Sequence, residues 1–232
     1  MSVPVPPSDL ADTVMARLTA TYATSADPAR AARAQAYTRN VAPYLGLPAP
    51  LRRQLSRTVL AGLPRPDETD CAAIALRCWE LPEREYAYFA VDCLRRHVKR
   101  LSSDFLPVVR HLVTTVSWWD TVDALAVHVV GGLVAADPRL KTEMDAWIED
   151  ENLWVARTAL LHQLRYKDAT DTERLFGYCV RQSGHTDFFL RKAIGWCLRE
   201  YAKTDPEAVR AFVERERGRL APLSAREALK NL

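Results

Sequence analysis

The chain has 232 residues, 48% hydrophobic and 26% charged, which is enough apolar material for a sizeable core and excludes a disordered chain. Its 32 Lys and Arg against 29 Asp and Glu leave a formal net charge of only +3, so bulk electrostatics hint at nucleic acid without selecting it. Five cysteines (Cys71, Cys78, Cys93, Cys179, Cys197) form an odd set with no CxxC spacing, which argues against a disulfide framework or a structural zinc site and for buried free thiols.

Residues 1–8, with three prolines and no basic segment ahead of an apolar core, read as a flexible N-terminal arm rather than a signal peptide. From residue 9 onward no period-two alternation is visible, and the chain reads as helix after helix. The predicted helices are 9–23, 28–42, 50–62, 67–80, 83–100, 103–115, 118–134, 138–149, 153–166, 171–182, 187–203, 205–217 and 224–231. Pro28, Pro82, Pro138 and Pro206 fall in first turns, and Thr170/Glu173, Thr204/Glu207 and Ser224/Glu227 have capping-box spacing. The apolar stretch 124–136 is interrupted by His128 and a glycine pair and is too short for a membrane span, so the expected location is cytoplasmic. Short helices joined by tight turns predict an all-α fold of HEAT-like repeats, antiparallel helix pairs stacked into a curved α-solenoid, with 9–232 as a single domain and no internal linker. A compact helical bundle is the alternative.

Three stretches carry chemistry. In Ser117-Trp118-Trp119-Asp120-Thr121-Val122-Asp123, a helix start with Ser117 as N-cap, Trp118 joins Val122, Leu125, Val129 and Leu133 in a core stripe at spacings of 4, 3, 4 and 4. Trp119 and Asp123 share another face one turn apart; taken alone they describe a packed indole beside a solvated carboxylate. In Leu153-Trp154-Val155-Ala156-Arg157, Arg157 lies on an apolar stripe with Leu153, Leu160, Leu161 and Leu164, so its guanidinium needs a partner: either a structural ion pair or a phosphate at a groove edge. In Phe188 to Lys203 the core stripe is Leu190, Ile194, Cys197 and Tyr201, while Lys192, Trp196, Arg199 and Lys203 repeat the same spacing on another face. Cations interleaved with an aromatic suit a phosphodiester backbone; a solvated basic face with one exposed indole is the plain alternative.

Taken together, SWWDTVD, the Arg of NLWVARTA and the Trp of KAIGWCLREYAKTDP resemble the AlkD family of DNA alkylation repair glycosylases. The likeness extends through WELPEREYAYFA (79–90), YLGLPAPLRRQL (44–55) and LAPLSAREALK (220–230). It implies a HEAT-like solenoid whose positively charged concave face holds duplex DNA. It also implies Asp123 as catalytic carboxylate, Trp119 and Trp196 as the pair that cradles the sugar-phosphate backbone, Arg157 as an active-site arginine and Tyr37 as a tyrosine near the same cleft. Pro48 departs from relatives that carry a polar side chain there.

The activity so implied is hydrolysis of the N-glycosidic bond of positively charged N3- or N7-alkylated purines, such as 3-methyladenine and 7-methylguanine, in double-stranded DNA during base excision repair. It needs no metal or cofactor, and a monomer suffices. Lys192, Arg199 and Lys203 are expected to contact DNA. A non-catalytic HEAT-like DNA-binding or scaffold protein is the competing reading, and an RNA-directed relative a third. His97, His111, His128, His162 and His185 show no ligand spacing, and Glu83-Arg84-Glu85 and Arg215-Glu216-Arg217 read as solvated helix faces.

Overall fold

The computed structural model describes residues 3–232, and among these it is helical throughout, with no β-strand. The all-α class and the helical-repeat organisation expected from the sequence are therefore found. Two compact units make up the chain, dividing at Thr121/Val122. The division falls inside a helix, so no linker separates them.

The first unit contains α1 (Asp9–Ala23), α2 (Pro28–Tyr37), α3 (Ala49–Leu60), α4 (Glu68–Glu80), α5 (Arg84–His97) and α6 (Leu106–Thr114). α1 buries Ala11, Val14, Leu18 and Tyr22, a stripe at helical spacing that packs on α3 and α4. The Tyr22 ring stacks on Tyr86 at 5.7 Å, and its hydroxyl reaches Ser56 Oγ at 2.8 Å, so this large buried ring leaves no polar atom unpaired. α4 is buried on nearly all sides and pairs with α5 through the short turn at 81–83. α2 buries no residue of its own. It is held through its start, where Asp27 N donates to Leu45 O and Gly46 approaches so closely that a Cβ would lie 2.2 Å from Asp27 O. Gly46 also has φ +86°, a conformation that side chains other than glycine disfavour.

α7 (Trp119–Ala124) runs through a π-helical turn (Leu125–Val130) into α8 (Gly131–Ala136). The continuous 18-residue helix Trp119–Ala136 is long and apolar enough, by length and composition alone, to cross a membrane. Half of it is buried within the protein, and it behaves as a core helix. The second unit continues with α9 (Lys141–Trp147), α10 (Leu153–Leu161), α11 (Thr172–Arg181), α12 (Phe188–Tyr201), α13 (Pro206–Arg215) and α14 (Pro222–Ala228). α10 is buried from Val155 to Leu161 against the π-helical turn, α9 and α12. The approaches are tightest at two glycines. A Cβ on Gly131 would sit 2.4 Å from His162 O, and one on Gly195 would sit 2.4 Å from Glu227 Cβ, so α12 and α14 meet nearly backbone to backbone.

Several expectations are corrected. α2 stops at Tyr37 rather than 42, because Arg39 and Asn40 turn left-handed (φ 57° and 60°), and α10 stops at Leu161 rather than 166. The three proposed capping boxes are displaced. Asp171 and Asp205, each one residue beyond the proposed Thr170 and Thr204, accept from Arg174 N and Ala208 N, a charged oxygen being favoured at the positive end of a helix. Ser224 lies inside α14, where it is buried and donates to Arg191 O at 2.9 Å. The complete capping box is Asp67/Asp70, and Pro82 precedes α5 rather than occupying its first turn. All five cysteines are buried and unbridged, as expected. Of the N-terminal arm, Ser8 is anchored: it caps α1 and donates to Asp70 Oδ1 at 2.6 Å; residues 1 and 2 lie outside the described residues.

Candidate active site

Within the first unit a buried polar cluster fixes the backbone that leads into α7. α6 ends at Thr114, and Val116 then takes φ +48°, a costly conformation for a β-branched residue that persists only where its surroundings hold it. Two donors do so: Trp79 Nε1 to Thr115 O at 3.0 Å, and Arg84 Nη1 to Val116 O at 2.7 Å. Arg84 is 3% exposed, so its charge needs partners, and it finds Asp120 (Nη2 to Oδ1, 2.5 Å) and Thr121 Oγ1 (2.9 Å). Tyr88 completes the Asp120 carboxylate by donating to Oδ2 at 2.5 Å, and its own hydroxyl pairs with Tyr44 at 3.0 Å. Burial and then the Asp120 charge push the Tyr88 phenol well above its ordinary range, so it remains a donor.

Glu85 plays the matching part for the preceding loop. At 2% exposure its carboxylate accepts from the backbone N–H groups of Leu45, Gly46 and Leu47 at 2.9, 2.8 and 3.1 Å. Arg84 and Glu85, expected on a solvated face, are therefore buried. Each satisfies backbone or carboxylate groups of another segment, which an isolated charge run does not reveal.

This scaffold presents Trp119, half-buried at the start of α7, and Tyr37, 74% exposed at the end of α2. Their rings meet edge to face at 6.3 Å and 77°, so Tyr37 and Trp119 are brought together. Trp118, expected in the core, is only half-buried, whereas Val122, Leu125, Val129 and Leu133 of the same stripe are buried. Ser117 does not cap α7; its hydroxyl donates back to Val113 O at 2.6 Å.

The second unit holds the carboxylate. Asp123, one helical turn beyond Trp119 along α7, is gripped by Arg157 from α10 in a fork: Nε to Oδ1 at 2.7 Å and Nη2 to Oδ2 at 2.8 Å. Arg157 Nη1 donates to Phe189 O, and the guanidinium lies 6.0 Å from the Phe189 ring. The Trp154 ring packs on Phe189 at 5.1 Å. The Arg157 side chain is 5% exposed and that of Asp123 is 16%, so the carboxylate keeps an accessible edge while the arginine is enclosed. The partner that the sequence required for Arg157 is thus Asp123, and the fork that could have taken a phosphate is occupied.

On α12 Trp196 is half-buried, between Lys192 and Arg199 along the helix. Both cations pair with one carboxylate, Glu227 of α14: Lys192 Nζ to Oε1 at 2.9 Å and Arg199 Nη1 to Oε2 at 2.5 Å. These two cations, Lys192 first, hold the Glu227 carboxyl below its usual range against a smaller opposing effect of burial. Lys203 is exposed and pairs with Glu200 at 2.7 Å. The row read as cationic is therefore partly neutralised by its own helix and by α14. Trp119 belongs to the first unit and Trp196 to the second.

Among the described residues no group of three or more His, Cys, Asp or Glu is placed to hold a metal. His162 is enclosed, its Nδ1 2.7 Å from Ala159 O, and burial lowers its pKa to about 4, which makes it a structural residue. Arg84, Tyr88, Asp120 and Glu85 were missed as functional supports. Each looks like a surface residue in sequence, and only the acid-base-aromatic string EREYAY hinted at a buried network.

A comparison with curated proteins finds no match. Among solved structures the chain is similar to one described as "Predicted DNA alkylation repair enzyme from Enterococcus faecalis", at 32% identity and a TM-score of 0.82, covering 89% of this chain and 96% of that one. The family model for the DNA alkylation repair enzyme matches residues 18–232, nearly the whole chain and every residue of the clusters above. The protein belongs to the DNA alkylation repair enzyme family.

Proposed function

We propose that the protein is a monofunctional DNA glycosylase of the AlkD type that releases N3- and N7-alkylated, positively charged purines from duplex DNA, with Asp123 as its catalytic carboxylate. The observation that carries this reading is the Asp123–Arg157 fork. A carboxylate clamped at both oxygens by an enclosed guanidinium, yet retaining an open edge, is preorganised at a fixed position without being sealed away. An alkylated purine already bears positive charge, so it departs neutral and needs no acid to protonate it. The barrier lies at the sugar, where breaking the C1'–N bond sends both electrons to the base and leaves an oxocarbenium ion. A negative oxygen nearby favours that cation over the neutral ground state. Water then adds to C1', and its proton passes to Asp123 or solvent.

In this scheme Arg157 orients the carboxylate. Trp119, with Tyr37 beside it, and Trp196 supply aromatic faces for the deoxyribose and its phosphates. Lys192, Arg199 and Lys203 assist DNA binding to the extent that phosphates displace Glu227 and Glu200 from them. The enzyme acts as a monomer and without a cofactor. Uncharged lesions are poor substrates, because no acid is assigned to activate their leaving group.

The test is release of free bases from methylated genomic DNA, resolved by mass spectrometry. The wild type is expected to liberate 7-methylguanine and 3-methyladenine, and Asp123→Asn to lose about 10²–10⁴-fold in single-turnover rate. Equal rates for the two proteins would remove Asp123 from the mechanism. Tight duplex binding with no base released by either would leave a DNA-binding scaffold.

A further inference from the structure

Two thiols meet inside the second unit. Cys179 of α11 and Cys197 of α12 are 18 residues apart in sequence, yet their sulfurs lie 3.6 Å apart, in direct contact. Their surroundings differ. Cys179 is 0% exposed and wholly enclosed, whereas Cys197, at 3%, forms part of the wall of a cleft of about 470 Å³ beside the ends of α10 and α12. The charges that line this cleft balance, Lys167 and Lys203 against Asp168 and Glu200.

The hydrogen bonds give the two sulfurs different parts. Cys197 Sγ donates to Ile194 O at 3.2 Å, so the proton between the sulfurs comes from Cys179. Burial, and then this hydrogen bond, push the Cys179 thiol well above its ordinary range, so it stays protonated. Cys197 is the sulfur that a small molecule in the cleft can reach, and Cys179 is the thiol held behind it. Cys78 offers a contrast: it too is buried, but its sulfur neighbour is the Met15 thioether at 3.7 Å, which cannot close a disulfide.

We propose that Cys179 and Cys197 form an oxidation site, a thiol pair that hydrogen peroxide converts reversibly into a disulfide stapling α11 to α12. The inference goes beyond base release and does not depend on it. Cys197 sulfur bonds to one peroxide oxygen, the O–O bond breaks, and the thiol proton joins the other oxygen as water, leaving a sulfenic acid. Cys179 sulfur then attacks that sulfur; the hydroxyl departs with the Cys179 proton as a second water, and the S–S bond forms. The peroxide is reduced by two electrons and the thiol pair is oxidised by two. Closing the bond brings the sulfurs together by about 1.5 Å, to the ~2.05 Å of a disulfide, a small motion for two helices already in contact. A cleft of balanced charge suits a small neutral oxidant. The staple joins to α11 the helix that carries Trp196.

The test is peptide mapping of the folded protein after timed exposure to hydrogen peroxide, with remaining thiols blocked by N-ethylmaleimide in denaturant before trypsin digestion. A disulfide-linked pair of peptides 175–181 and 193–199 is expected to appear at least about tenfold faster than Cys78 is oxidised, and dithiothreitol should return both peptides unmodified. In Cys179→Ala, dimedone should trap a sulfenic acid at Cys197; in Cys197→Ala, Cys179 should remain a thiol over the same period. A linked pair that forms no faster than Cys78 oxidation would trace the reaction to global unfolding and overturn the site. So would a disulfide from Cys179 or Cys197 to any other cysteine, dimedone labelling of Cys179 in Cys197→Ala, or sulfinic acid at Cys197 of the wild type with no linked pair. The wild-type kinetics decide by themselves if either variant fails to fold. Because the readout is peptide mass, the outcome is independent of whether the protein excises bases.

Discussion

Removing either partner of the Asp123–Arg157 fork strands the other in a largely dry place, and the loss can be sized from the geometry. Both contacts are short, 2.7 and 2.8 Å, and Arg157 is 5% exposed against 16% for Asp123. Breaking a buried pair typically costs about 3–5 kcal/mol, nearly all of it the desolvation of the orphaned charge. Arg157→Met leaves a carboxylate that can draw water through its exposed edge, so we expect about 2–3 kcal/mol. Asp123→Asn leaves an enclosed guanidinium with one amide oxygen still facing it, again about 2–3 kcal/mol. The double variant removes both charges and loses only fit, about 1–2 kcal/mol. The expected coupling energy is therefore about 3–4 kcal/mol, measured as a double-mutant cycle on urea unfolding with a shared m-value. A coupling below about 0.5 kcal/mol would refute the claim that the fork is formed and desolvated in solution, and with it the preorganisation of Asp123.

Lowering the pH from 6.5 to 4 should remove about 3 kcal/mol of stability through His162. Its folded pKa of about 4 lies below the unfolded value, so the unfolded chain takes up the proton first, and stability complete above pH 6.5 drains away until both states are protonated; an unfolding midpoint that stays flat over this window would contradict the burial. Gly195→Ala forces a methyl to 2.4 Å from Glu227 Cβ and 2.9 Å from Ser224 O, so α12 and α14 must separate, with an expected loss of about 1–3 kcal/mol in thermal unfolding. Val116→Gly should raise stability by about 0.5–1 kcal/mol, relief of the φ +48° conformation outweighing the greater freedom of glycine in the unfolded chain; a loss would mean that Val116 is not strained. Glu85→Gln should speed hydrogen exchange at the Leu45, Gly46 and Leu47 amides while leaving those of α10 unaffected.

Helix positions were legible because apolar residues recur at helical spacing and prolines mark first turns; Pro28 and Pro206 both stand where expected. Their exact caps were not, since Thr and Asp neighbours compete for the same N-terminal N–H groups and the sequence does not say which backbone is extended. At the site, Asp123, Trp119 and Arg157 stood out by type and register. That Arg157 would meet Asp123 was hidden, because the two lie 34 residues apart and either a phosphate or an acid satisfies a guanidinium on an apolar stripe. The basic face of α12 was read from one helix alone, and Glu227 arrives from α14, where its spacing had looked like a cap. The opposite error befell Arg84 and Glu85, whose alternating charges resemble a wet surface until their partners are seen.

The wide turn at Leu125–Val130 separates two places that tolerate no displacement, the carboxylate at 123 and the side-chain-free contact at Gly131. Buried residues through this stretch advance by fours, 122 to 126 to 130 to 134, and in a regular helix each such step overshoots a turn by about 40°. The looser winding takes up that excess. Asp123, clamped by Arg157, and the close approach of Gly131 to His162 can each therefore keep its own rotational setting along one uninterrupted helix.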